Sequence, residues 1–220
     1  MKKLFDFIPV DIVPFSKGFI YAKQLDDEGT IAYYSCDFKA KAYLNVTKGV
    51  YLLNKFGPMY KEIAEQIEDT VNCDVALLEN GDVFLVYDDG EAGLFDCNAT
   101  LLWIGDLCYH GEYVKGATAN GNNIWCIAEN ENSIIKYSPH SKRFELRLGS
   151  KYSSAFVKPS FVSKYADHIY VCSPNEHKIC SVNLINYEVD DYRAFNEPVY
   201  RYYNINGNEV VVLNSGVYLL

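Results

Sequence analysis

What the chain lacks narrows the field first. It has seven cysteines but no C-x-x-C pair, so the close spacing that zinc sites and thiol redox motifs need is missing. No apolar run approaches the roughly 20 residues of a membrane-spanning helix. No basic cluster is longer than Lys2-Lys3 or Lys142-Arg143, and the net charge is −9. Such a surface repels both a phosphate backbone and an anionic bilayer, which disfavours nucleic acid and membranes as partners. No turn carries the staggered D-x-[DN]-x-[DN]-G spacing of a calcium loop. The four histidines are scattered at positions 110, 140, 168 and 177. No Ser/His/Asp elbow or glycine-rich phosphate loop accompanies them. Neither a metal nor a cofactor is therefore expected. The Met1-Lys2-Lys3 start meets Asp6 and Pro9 too soon for a signal peptide. The expected setting is the cytoplasm, with reduced thiols; Cys126 and Cys172 sit in apolar runs, where a thiol behaves as a small hydrophobe. In that setting Asn45-Val46-Thr47 is an acceptor sequence without a glycan.

What is present is aromatic and periodic. Nineteen tyrosines and twelve phenylalanines favour strands over helices. Residues 115–149 set the pattern. Ala117–Ala119 is small and extended, and Asn120-Gly121 suits a two-residue hairpin turn of type I′. Ile124-Trp125-Cys126-Ile127-Ala128 is apolar on both faces and must be covered on both. A polar turn, a strand ending at Tyr137 and a second turn at Ser138-Pro139-His140-Ser141 follow. Phe144-Glu145-Leu146-Arg147-Leu148 then alternates with period two, as an outer strand with one wet face does. The unit is a four-stranded meander.

The same order recurs about every 40–45 residues, the period of propeller blades. The first turn returns at Asn80-Gly81 and Asn206-Gly207, and in weaker form at Lys17-Gly18 and Ala166-Asp167. Third strands share an apolar residue, two variable ones, a large apolar residue and a small polar turn-starter, as in Ile31…Tyr34-Ser35 and Ile179…Val182-Asn183. Five copies result, the last lacking its fourth strand. Residues 2–10 (KKLFDFIPV), with Phe5 and Phe7 on one face, can supply that strand and so remove the open sheet edges. On these grounds the chain resembles β-propeller repeat proteins in a short five-bladed version, over nearly all its length. No WD dipeptide or kelch di-glycine fixes a narrower family. The expected fold is one all-β domain over residues 1–220, a five-bladed propeller of four-stranded antiparallel blades closed by the N-terminal strand. A β-sandwich or barrel is the alternative.

One stretch breaks the repeat. About 20 extra residues separate the first and second copies. Gly57-Pro58 punctuates them, and residues 59–69 place Met59, Tyr60, Ile63 and Ile67 on one helical face. A short helical insertion over about 57–70 is expected, capping the blades. Its apolar face could alternatively serve a partner or self-association.

The resemblance implies where function would lie, because propellers generally bind ligands on the face that carries the blade connections. There the turns Asp26-Asp27-Glu28-Gly29, Asp88-Asp89-Gly90-Glu91, Glu129-Asn130-Glu131-Asn132 and Asn175-Glu176-His177 would make an acidic rim. Such residues also suit hairpin turns for their own reasons. The connections offer Tyr109, His110, Glu112, Tyr152, Tyr200 and Arg201 as a mouth of aromatic walls and polar groups. The expected function is a non-catalytic binding module for a protein partner or a small polar ligand such as a sugar. The enzymatic alternative follows from propeller glycosidases, which place carboxylates round the axis. Asp11 and Asp74 begin equivalent inner strands, and Glu112 or Glu197 could supply a third acid for glycosidase or lyase chemistry. Lys115 and Arg201, at other blade starts, could instead be ion-pair partners of those acids.

Overall fold

The computed structural model describes residues 1–25, 27–39, 42–152 and 154–220. Strand β1 (Lys2–Phe5) comes first. Blade one is β2 (Asp11–Phe15), β3 (Gly18–Gln24), β4 (Ile31–Asp37) and β5 (Tyr43–Asn45). Two helices follow, α1 (Lys48–Phe56) and α2 (Tyr60–Ala64). Blade two is β6 (Cys73–Leu77), β7 (Val83–Tyr87), β8 (Glu91–Phe95) and β9 (Leu101–Asp106). A small hairpin of β10 (Cys108–Tyr109) and β11 (Glu112–Tyr113) leads on. Blade three is β12 (Lys115–Asn120), β13 (Asn123–Ala128), β14 (Ser133–Ser138) and β15 (Arg143–Gly149). Blade four is β16 (Phe161–Tyr165), β17 (His168–Ser173), β18 (Lys178–Asn183) and β19 (Val189–Ala194). Blade five is β20 (Val199–Ile205), β21 (Asn208–Leu213) and β22 (Gly216–Leu219), completed by β1.

The result is a ring of five four-stranded antiparallel meanders, a five-bladed β-propeller. Five separate sheets are neither the two packed sheets of a sandwich nor the single closed sheet of a barrel. Sequence dictates the radial order. Second strands are buried on both faces, as in β13, where Trp125, Cys126, Ile127 and Ala128 are all 0% exposed. Apolar clusters fill the seams. One joins blades two and three, another blades three and four, and a third runs from blade four through five to one. The hairpin turn at Asn206-Gly207 has both residues at positive φ (52° and 84°), the type I′ signature. The turn after β12 sits one residue later than expected, with Gly121 at φ 64°, because Asn120 still pairs with Asn123 in the ladder.

Closure is antiparallel, with Lys2 opposite Leu219 and Phe5 opposite Val217. Gly216 permits it: a Cβ there would stand 2.2 Å from the Phe5 carbonyl oxygen. The closing strand is four residues long rather than nine. The chain then leaves the fifth blade for the first, where the Val10 N–H donates to the Ala22 carbonyl.

The helical insertion is where expectation and structure part. The main helix is α1, upstream of the expected segment, and α2 is only five residues long. Thr47 caps α1 by accepting from the Val50 N–H, and Gly57 ends it at φ 77°, as helix-stop geometry favours. The buried face of α1 is Tyr51, Leu52, Lys55 and Phe56. This helix packs on both β2 and β6, strands that hardly touch each other. Together with Ile63 of α2 it supplies the core between Val13 and Ile20 of blade one and Val83 and Leu85 of blade two. The insertion is thus a wedge in the first seam rather than a cap laid over it. The apolar residues expected on one helical face, Met59, Tyr60, Ile63 and Ile67, all belong to this core.

Deleting residues 1–9 removes β1 and leaves β22 as a bare edge. We expect a large drop in melting temperature with aggregation by light scattering. An unchanged melting curve would contradict closure by this strand.

Candidate ligand site at the axial channel

The inner strands β2, β6, β12, β16 and β20 surround a cavity of about 250 Å³, and Asn54 and Lys55 of α1 complete its wall. It runs towards the far ends of those strands, at Pro14, Leu77, Lys164 and Asn204. A smaller cavity of about 70 Å³ sits at the blade-connection end, where Asn72, Asp74, Asp88 and Arg201 meet. The two share Asp11, Cys73 and Asp74, so they form a channel and its mouth.

Asp11 is the hub of the wall. Its Oδ2 accepts from Lys55 Nζ at 2.8 Å and from the Tyr51 hydroxyl at 2.7 Å. Its Oδ1 accepts from Arg201 at 3.1 Å and from the Ile12 N–H at 2.8 Å. Lys55 also donates to the Val71 carbonyl at 2.8 Å. Burial alone would push the Asp11 carboxyl up, but Lys55 and Arg201 outweigh it and hold it below the ordinary value. Burial would likewise lower Lys55, yet Asp11 raises it. Both groups are charged and saturated.

Asp74 has the opposite lot. No side-chain hydrogen bond or ion pair from a described residue reaches its carboxylate. Burial pushes its carboxyl above the ordinary value, and Asp11 and Asp88 add repulsion against a partial offset by Arg201 and Lys55. Arg201 is close enough to be felt but makes no ion pair with Asp74, its one carboxylate contact among the described residues being Asp11. Burial pushes the neighbouring Cys73 thiol up to about 12, which leaves it a protonated, unreactive wall.

The residues expected at the mouth disperse. Arg201 lines it. Tyr109 stacks on His110 at 4.1 Å and meets Phe144 of the third blade's outer strand edge-on at 5.0 Å. Glu112 accepts from the Asn130 N–H at 2.6 Å through one oxygen, while its other oxygen is buried without a partner. Tyr152 is 94% exposed, and the Tyr200 hydroxyl bonds Asn214. Glu197 holds the turn at Ser215, through both its N–H and its hydroxyl. Of the suggested cations Arg201 does pair with Asp11, whereas Lys115 pairs with Glu129. The acidic turns are partly neutralised, Glu131 by Arg147 and Glu176 by Lys178; Asp26 lies outside the described residues. Sequence reasoning missed Lys55 and Tyr51, and read Asp88 only as one residue of the acidic rim on this face. The helix-start and helix-stop signals at Thr47 and Gly57 would have revealed the first two.

No protein-family model and no curated protein matches the chain. Solved structures do match. A streptogramin B lyase is 10% identical with a TM-score of 0.53, covering 96% of this chain and 65% of its own. A virginiamycin B lyase from Staphylococcus aureus is 10% identical at 0.51, covering 100% of this chain and 72% of its own. U3-55K is 8% identical at 0.56, covering 99% and 63% respectively. The chain is thus shorter than these structures, spanning under two thirds of the streptogramin B lyase. At such identities the likeness carries the propeller fold alone. The class is β-propeller; the chemistry must be read from the channel.

The two carboxylates should respond to mutation with opposite sign. Asp74 has a raised folded-state pKa, so its contribution is fully present below the unfolded value of about 3.9 and is lost as pH rises through the folded value. Asp74→Asn should therefore raise the melting temperature at pH 7 and lose that advantage below about pH 4. Asp11 has a lowered pKa, so its contribution is present above about pH 3.9 and lost as pH falls. Asp11→Ala strands the buried Lys55 and should cost about 3–5 kcal/mol at pH 7 by denaturant unfolding. Equal destabilisation by both changes would contradict this assignment.

Proposed function

We propose that the protein is a non-catalytic binding module of the β-propeller class that takes a small polar ligand into the axial channel from the blade-connection end. The observation that carries this reading is Asp74, a carboxylate unpaired among the described residues in a cavity walled by all five inner strands. Asp74 is half-buried and lines the channel without a donor from a described side chain, so its carboxylate is left to whatever enters the channel. A site that keeps such a group is most simply explained by a ligand that satisfies it. The cavity is below the usual volume of drug-sized pockets, about 300–1,000 Å³, which favours a compact ligand. The seven unpaired cysteines, five of them buried, fit a reducing cytoplasmic setting.

The carbohydrate-active reading has one observation in its favour: Asp11 and Asp74 line the same cavity. Its difficulty is chemical. A paired-carboxylate mechanism needs one acid and one free nucleophile or base. All four contacts on Asp11 are donors that lower its basicity, and Glu112 is engaged by the Asn130 N–H. Asp88 is the remaining acid at the mouth.

A calorimetric screen of glycans and small polar metabolites tests the proposal. We expect at least one ligand whose affinity falls tenfold or more in Asp74→Asn and holds in Tyr200→Ala. Binding lost in Tyr200→Ala but kept in Asp74→Asn would move the site away from the channel. Glycoside turnover abolished by Asp74→Asn would replace this reading with the enzymatic one. No small-molecule binding at all would overturn it in favour of a protein-binding scaffold.

A further inference from the structure

The mouth of the channel holds more chemical information than a generic polar pocket, on the reading that the channel is a ligand site. Two groups of opposite charge face it without meeting. Asp74 has no donor from any described side chain, and Arg201 has no ion pair with it although each perturbs the other. Arg201 gives one guanidinium N–H to Asp11 and rests against Phe161, with its carbon 5.5 Å from the ring centre. The Tyr203 hydroxyl also engages it, but a guanidinium offers five donors, so N–H groups remain beyond these contacts. Within a protein, a carboxylate and a guanidinium lining one small cavity can close on each other in a bidentate pair. Here Arg201, on β20, is engaged by Asp11, Phe161 and Tyr203, and Asp74 stands on β6 at the same mouth. The two groups leave a gap between them at the mouth.

We propose that this gap recognises a compact zwitterion, an α-amino acid or a close analogue, with its ammonium on Asp74 and Asp88 and its carboxylate on Arg201. The alternatives fit less well, for electrostatic reasons that follow from the groups present. A simple amine would satisfy Asp74 but leave its charge facing Arg201 and, behind it, Lys55. A simple carboxylate would satisfy Arg201 but face Asp74 and Asp88. A diamine would put its second charge against the same two cations. A neutral sugar could hydrogen-bond both groups, yet it would bring no charge to either, and hydrogen bonds to charged groups are strongest when the partner is itself charged. The mouth cavity of about 70 Å³ limits the charged part of the ligand to a small head group. The larger cavity beneath, with Val75, Ile12 and Thr118 on its wall, is where a side chain would extend.

Calorimetric titration with glycine, L-serine, methylamine, acetate and glucose separates these cases on the full chain at pH 7. We expect glycine or L-serine to bind at least tenfold more tightly than methylamine or acetate, and that preference to disappear in Asp74→Asn. Raising Arg201→Lys should weaken the amino acid at least tenfold, because a single ammonium does not reproduce the planar fork; circular dichroism of the variant checks that the fold persists. Methylamine binding as tightly as glycine would overturn the zwitterion proposal, since Arg201 would then contribute nothing. Glucose binding without amino-acid binding would overturn it while leaving the channel as a ligand site. Failure of all five probes, with glycans and other metabolites also inert, would overturn both.

Discussion

The buried contact of Asp11 with Lys55 and Arg201 is the constraint on which the middle of this propeller depends. It joins parts of the chain that no sheet joins. Asp11 belongs to the first inner strand, Lys55 to the wedge helix and Arg201 to the fifth inner strand. Through Lys55 it also holds the segment entering blade two, at the Val71 carbonyl. Taking two charges out of water is unfavourable, and a buried pair often contributes little net stability against an apolar replacement. What such a pair does supply is a unique arrangement, since neither charge can be left alone. Here that arrangement fixes how far the helix enters the ring, and therefore how blades one and two are spaced.

The spacing has a consequence at the axis. Asp11 and Asp74 begin corresponding strands of neighbouring blades, and a strict repeat would treat them alike. The helix breaks that equivalence. It brings an ammonium and a phenol to Asp11 and neither to Asp74. One carboxylate becomes part of the wall and the other faces the cavity. An irregularity in a repeat fold thus makes one position structural and its counterpart available. The same logic places a carboxylate without a described donor where the channel opens, as expected when stability is given up at a functional site.

The blade plan was legible because each blade repeats its reasons: apolar second strands, small polar turn-starters and an N-terminal strand with the right alternation. Ile124 to Ala128, Asn206-Gly207 and Phe5 carry that reading. Helix α1 was not legible from hydrophobic spacing, since Lys55 interrupts the stripe that Tyr51, Leu52 and Phe56 would otherwise make. A charged residue in a core position signals nothing until its partner, 44 residues away, is known. Thr47, read as the end of an acceptor sequence, is the helix cap. The mouth was only partly legible for a similar reason. Tyr109, His110 and Glu112 stand in a blade connection, but that connection folds into its own hairpin against the third blade. Connection length alone does not say whether a loop leans towards the axis or the rim. Asp11, Asp74 and Arg201 were recognisable by their equivalent places at blade starts.

The central claim is that two neighbouring carboxylates are held in opposite electrostatic states by one wedge helix. Carbon-13 NMR titration of the aspartate side-chain carboxyls tests it most directly, with Asp11→Asn and Asp74→Asn used to assign the two resonances. The account predicts that Asp74 titrates above the ordinary aspartate value of about 3.9 and Asp11 below it. Both resonances titrating together near that value, or Asp11 titrating above Asp74, would contradict it.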